Sequence, residues 1–163
     1  MTEAMPRLAL FEPEIPQNTG TILRLCACLG IPVEIVEPAG FDVSDRHFNR
    51  AGLDYLERAA VTRHPSWDAF EGWRRRHGAR LVVATTRAAT PYATFAFRPD
   101  DVILLGRESA GVPEAVHRAA DARIVVPMRA GLRSLNVAVA AAMILGEALR
   151  QTASFPVLQG APA

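Results

Sequence analysis

A series of short apolar runs, each followed by a segment with helical spacing, limits this chain to few architectures. Arg7-Leu8-Ala9-Leu10-Phe11, Val33-Glu34-Ile35-Val36, Leu81-Val82-Val83-Ala84, Val102-Ile103-Leu104-Leu105 and Arg123-Ile124-Val125-Val126 read as strands, with a further short one at Ala60-Val61-Thr62. Their near-continuous apolarity, without polar alternation, implies strands buried on both faces. Helical spacing lies between them. Asn18 is placed to cap a helix carrying Ile22, Leu25, Cys26 and Leu29 and ending at Gly30, while Ser66 caps one that ends in Arg74-Arg75-Arg76-His77. A short helix is predicted over Pro113–Arg118, and a last one after Ser134, its expected N-cap, through Val137, Val139, Met143, Ile144 and Leu149. The expected fold is α/β: one mainly parallel sheet with helices on both faces.

At 163 residues, half of them apolar, the chain is expected to form a single domain spanning 1–163. A loose tail is expected from about 152. The longest apolar run, Val137–Leu145, is too short to cross a bilayer. No basic segment followed by an apolar core opens the chain, so a cytoplasmic protein without a membrane partner is expected. Cys26 and Cys28 stand two apart on a predicted helix, point to different sides and show no metal-ligand spacing; a metal is not expected. The net charge is +1, which argues against retention on nucleic acid, DNA included, by bulk positive charge. Every basic residue among the Lys and Arg positions is Arg; Arg forms bidentate contacts with phosphate and stacks on bases.

The residues that can carry chemistry gather at strand ends. Asn18-x-Gly20-x-x-x-Arg24 places Gly20 and Arg24 four apart on one helical face. Gly106-x-Glu108-x-x-Gly111 sets a carboxylate between two glycines directly after a buried strand. Pro127-Met128 through Ser134-Leu135-Asn136 crosses a loop pivoting on Gly131 and enters the final helix. Strand end, loop and helix start is where open α/β sheets collect ligands, because backbone amides converge there. Taken singly, each cluster is matched by an ordinary turn, cap or solvated side chain. No Walker loop, Gly-x-Gly-x-x-Gly fingerprint or Gly-x-Ser-x-Gly elbow is present.

Together, and in this order, the clusters resemble the SPOUT class of S-adenosylmethionine-dependent RNA methyltransferases, most closely its TrmL (YibK-like) family of tRNA wobble-ribose 2′-O-methyltransferases. The resemblance rests on Glu12-Pro13-Glu14-Ile15-Pro16-Gln17-Asn18-Thr19-Gly20, Arg24-Leu25-Cys26-Ala27, Arg50-Ala51-Gly52-Leu53-Asp54-Tyr55, Ala60-Val61-Thr62-Arg63-His64 and Thr85-Thr86, and spans roughly Leu8 to Arg150. Departures are Arg107 where the family often has Pro, Arg87 for Lys, and the loop Arg129–Leu132. The resemblance implies a deep trefoil knot over about 80–151, a cofactor held by Ala84, Gly106, Val126, Met128, Ser134 and Leu135, and catalysis by Arg24 with Asn18, Glu108 and Asn136. It further implies a homodimer in which Arg24 serves a site formed with the partner chain, and a tRNA substrate, expected among leucine isoacceptors. Ala138, Ala142 and Gly146 offer a small-residue stripe for close helix approach, either to a second copy or to the chain's own sheet. Arg74–Arg76 are candidates for tRNA contact. Methylation of another tRNA or rRNA nucleotide, and a non-catalytic RNA-binding module on the same fold, stand as alternatives.

Overall fold

The computed structural model describes residues 3–43 and 59–160; the Arg50–Tyr55 motif lies outside them. Among the described residues, β1 (Arg7–Phe11), β2 (Val33–Val36), β3 (Val61–His64), β4 (Arg80–Ala84), β5 (Asp101–Leu105) and β6 (Ala122–Ile124) form one sheet in the order β3-β2-β1-β5-β4-β6. Each pairing is parallel, as the continuous apolar runs require. The chain winds outward from β1 through β2 to β3, then crosses to β4 on the other half. β5 inserts between β1 and β4, which places the topological switch at the β1–β5 boundary.

Helices cover both faces. Leu8, Leu10, Val33, Ile35, Val82 and Ile103 pack against α1 (Pro16–Leu29) and α4 (Val137–Thr152). Residues one position along, Ala9, Phe11, Val36, Val83 and Leu104, pack against Phe70 of α2 (Trp67–Arg76) and Val116 of α3 (Glu114–Ala119). This is the two-residue alternation of a strand with both faces buried. Cys26 lies in the first cluster and Cys28 is exposed, on different sides as expected; burial pushes the Cys26 thiol up to about 12.

Three of the boundaries that differ from the sequence reading bear on the site. α1 starts at Pro16 with Ile15 as N-cap, so Asn18 lies inside the first turn and caps nothing. Pro16 at the first helical position explains this, because its fixed φ suits the helix and its missing N–H is not needed there. β6 stops at Ile124 instead of running to Val126. Val125 donates to Thr90 O at 2.9 Å and accepts from Tyr92 N at 2.9 Å, so the segment before the single-turn helix Tyr92–Thr94 replaces β4 as its neighbour. The cap of α4 is Asn136, not Ser134.

Buried polar groups fix the half of the sheet that carries the site. The fully buried Asp101 carboxylate takes Arg80 Nε at 2.5 Å, Arg80 Nη2 at 2.8 Å and the Arg98 amide at 2.8 Å. The bidentate fork and the backbone bond together offset the desolvation of a buried charge. Arg74 is not a solvated helix-end charge. It is buried, holds Glu71 through two bonds, reaches Asp121 at 3.2 Å and donates to Ala79 O at 2.9 Å. That leaves Arg75 and Arg76 as the exposed members of the trio.

Candidate functional site

The carboxyl ends of β4, β5 and β6 open into a cavity of about 670 Å³ that the starts of α1 and α4 also line. The volume is that of a small-molecule site. Its wall includes each of the six residues expected at a cofactor: Ala84, Gly106, Val126, Met128, Ser134 and Leu135. Asn18, Glu108 and Asn136 line it as well. Ala84 and Leu105 are the last residues of their strands, so what they offer beside their small or apolar side chains is backbone.

Gly106 shapes the floor. A Cβ there would stand 2.7 Å from the carbonyl carbon and 2.8 Å from the Cα of Gly111. Arg107 N donates to Gly111 O at 3.0 Å and Gly111 N returns to Arg107 O at 2.9 Å, closing the loop on itself with Gly111 at a φ of 61°. The Arg107 side chain adds Nε to Gly111 O at 3.1 Å and lies over the Phe11 ring.

Glu108 does not stand free in a turn. Its carboxylate accepts the amides of Glu14, at 3.1 Å, and Ile15, at 3.3 Å. Glu14 reciprocates, its carboxylate accepting the Ser109 amide at 3.0 Å and the Ser109 hydroxyl at 2.7 Å. These two Ser109 bonds hold the Glu14 carboxyl below the usual carboxylate range. The paired carboxylates lash the loop after β1 to the loop after β5, and an anionic group at the start of α1 suits that helix's dipole. Glu108 thus holds the start of α1 against the loop that follows β5.

Asn136 bonds in two directions. Its Oδ1 accepts the Ala138 amide at 2.8 Å and the Val139 amide at 3.3 Å, capping α4, while its Nδ2 donates to Asn18 Oδ1 at 3.0 Å. One side chain therefore ties the α4 start to the α1 start across the cavity. Asn136→Ala is expected to cost about 1 kcal/mol and lower the melting temperature by roughly 3 °C. Asn136→Ser, which keeps a capping oxygen, should recover most of that loss in the same thermal melt. An Ala variant melting with the wild type would contradict the capping role.

Arg24 is not among the residues lining the cavity. It is exposed on α1, whereas Gly20, expected on the same face, is buried. The small-residue stripe also divides. Ala138 packs into the core and Gly146 is half-buried, while Ala142 is exposed beside Val139 and Met143. His117 went unremarked in the sequence, although it lines the cavity from α3. Its only local signal was a lone His beside Val116 on a six-residue helix.

Among the described residues no group of three or more His, Cys, Asp or Glu is placed to hold a metal ion, and no helix is long and apolar enough to cross a membrane. A family model, the SpoU rRNA methylase family, matches residues 5–146. A protein of Beijerinckia indica subsp. indica named tRNA (cytidine(34)-2′-O)-methyltransferase is 63% identical over 155 residues, covering 95% of this chain and 97% of that protein. One of the same name from Escherichia coli K12 is 39% identical over 149 residues, covering 90% of this chain and 94% of its own. A solved structure concerned with 2-OH methylation of C/U34 on tRNA has a TM-score of 0.84 at 38% identity, over 93% of this chain and 92% of that one. The SpoU methyltransferase AviRb from Streptomyces viridochromogenes, in complex with AdoMet, has a TM-score of 0.83 at 30% identity, over 93% of this chain and 62% of its own.

Proposed function

Since the chain belongs to the SpoU rRNA methylase family, we propose that it methylates the ribose 2′-hydroxyl of the wobble nucleotide, position 34, of tRNA, with S-adenosylmethionine as donor. The observation that carries this reading is the convergence of Ala84, Gly106, Val126, Met128, Ser134 and Leu135 on one cavity at the strand ends, in a chain that aligns nearly end to end with wobble-cytidine methyltransferases. The wall suits the cofactor. It pairs apolar surface with backbone at strand ends, and its size fits a nucleoside bearing an amino-acid tail.

When bound, the cofactor would supply an electrophilic methyl group: the new O–CH3 bond forms as the S–CH3 bond breaks, S-adenosylhomocysteine is released, and the 2′-hydroxyl proton passes to solvent water. The protein's task is to hold the 2′-oxygen in line with that group, and positioning of this kind lowers the barrier substantially. Glu108 and Asn136 fix the loops that form the site, and Asn18 is held by Asn136 where it can meet the ribose. The Arg24 guanidinium stabilises the developing alkoxide or clamps the adjacent phosphate. The likeness to the TrmL family supports a homodimer in which Arg24 completes the partner's site. The apolar surface left exposed by Leu135, Val139, Ala142 and Met143 is suited to such an interface. The same likeness supports a trefoil knot over residues 80–151, cytoplasmic action and leucine isoacceptors as substrates.

The test is methyl transfer from labelled S-adenosylmethionine to tRNA from a strain lacking the enzyme, followed by nucleoside mapping. Label in a 2′-O-methylated pyrimidine at position 34 is expected. Label confined to another nucleotide, or none despite cofactor binding, would overturn the reading.

A further inference from the structure

We propose that His117 is a cofactor-recognition residue of this chain, its imidazole hydrogen-bonding the adenosine part of the bound donor or product. This rests on the functional reading above. His117 is 5% exposed and lines the cavity, yet among the described residues its ring nitrogens have no hydrogen-bond partner. Nor are they sealed: the one buried side-chain polar atom without a partner among the described residues is Thr19 Oγ1. A nearly buried ring that lines the cavity and keeps an unpaired nitrogen in touch with open space leaves that nitrogen available to a ligand. Buried polar groups left unpaired are costly, and a site that accepts such a group is one where a ligand completes it.

The surroundings select the kind of ligand group. Burial, then the Arg87 guanidinium, lower the imidazole below its usual range, with Arg123 adding to this and Glu114 opposing it. The ring is therefore neutral near pH 7 and offers one donor and one acceptor. Both neighbouring cations are already engaged: Arg87 pairs with Glu114 at 3.1 Å, and Arg123 donates to the His117 carbonyl oxygen. That corner thus presents little charge to a carboxylate or an ammonium. Val112, which also lines the cavity, and Val116 of α3 are buried apolar neighbours in sequence. A neutral donor–acceptor pair beside apolar surface matches an adenine edge or a ribose hydroxyl, not the amino-acid tail.

The experiment is calorimetric titration of wild type, His117→Phe and His117→Gln with S-adenosylhomocysteine, adenosine and methionine as probes. His117→Phe is expected to weaken S-adenosylhomocysteine and adenosine by roughly tenfold while leaving methionine unchanged; His117→Gln, which can donate and accept, should stay within about threefold of wild type. Equal affinity of wild type and His117→Phe for adenosine would overturn the proposal, as would parallel losses for adenosine and methionine. A second readout needs no variant: the imidazole nitrogen resonances of His117 in the wild-type protein should move on adding adenosine and not methionine. Unmoved resonances at saturating adenosine would also overturn it. Failure of the wild type to bind S-adenosylhomocysteine at all would instead count against the functional reading itself.

Discussion

Gly106→Ala is expected to lower the affinity for S-adenosylhomocysteine by at least about tenfold and the melting temperature by roughly 5 °C. The reason is steric. The new Cβ would fall 2.7 and 2.8 Å from Gly111 backbone atoms and 3.1 Å from its carbonyl oxygen, and backbone cannot swing aside as a side-chain tip can. Nor can the opposing segment withdraw, because the two Arg107–Gly111 backbone bonds hold it. Relief has to come from shifting the whole 106–111 loop, which carries Glu108 and its grip on the Glu14 and Ile15 amides. Overpacking of this kind costs about 2 kcal/mol, and the displaced loop is cavity wall. Gly72→Ala supplies the control. Gly72 sits inside α2, its Cβ would meet only the Arg76 guanidinium end at 3.2 Å, and Ala is the better helix former. That variant should melt at or above the wild type and bind the cofactor product normally. Were Gly106→Ala to melt and bind like wild type, the close approach would not govern the site.

The same loop shows how far the sequence could be read. Gly-x-Glu-x-x-Gly after a buried strand announced a place where backbone comes close, but not what Glu108 would hold, since its partners lie more than ninety residues away. Strands were legible because burial on both faces demands uninterrupted apolar residues. Their order was not, because nothing local in Asp101–Leu105 says that it inserts between β1 and β4. Ser66 and Gly30 cap as expected, whereas the two caps expected beside the cavity failed for a related reason. Ser134, Asn136 and Asn18 are all competent capping residues, but Pro16 starts α1 ahead of Asn18, and it is Asn136 whose Oδ1 meets the Ala138 and Val139 amides at the start of α4. Arg74 is one of three consecutive cations in the sequence, and only the folded chain brings Glu71 and Asp121 to it. His117 acquires meaning only when the ends of β4 and β6 are folded over it. The resemblance to a known family compensated for much of this, because it carries nonlocal information that spacing and composition lack.

Arg24→Ala is expected to reduce methyl transfer by roughly a hundred- to a thousandfold, the cost of removing one charge-stabilising donor from a developing oxyanion. Cofactor affinity should not change, since Arg24 is exposed on α1 and forms no part of the cavity wall. This split between binding and turnover separates Arg24 from Gly106, whose replacement strikes binding first. Arg24→Lys refines the role. A lysine keeps the charge but not the planar fork, so substantial retention would favour alkoxide stabilisation, and a loss as deep as that of Ala would favour a bidentate hold on phosphate. The two variants together also test which subunit the arginine serves. Equal amounts of Arg24→Ala and Gly106→Ala chains, unfolded and refolded together, give heterodimers in about half of the assemblies of a two-fold dimer. If Arg24 reaches the partner's cavity, each heterodimer has one intact site, built from the cavity of the Arg24→Ala chain and the arginine of the other. Assayed at a donor concentration well below the dissociation constant of the Gly106→Ala cavity, the mixture should then recover about a quarter of wild-type activity. If Arg24 serves its own chain, each site of the heterodimer carries the same defect as in its parent, and mixing recovers nothing beyond the two parents.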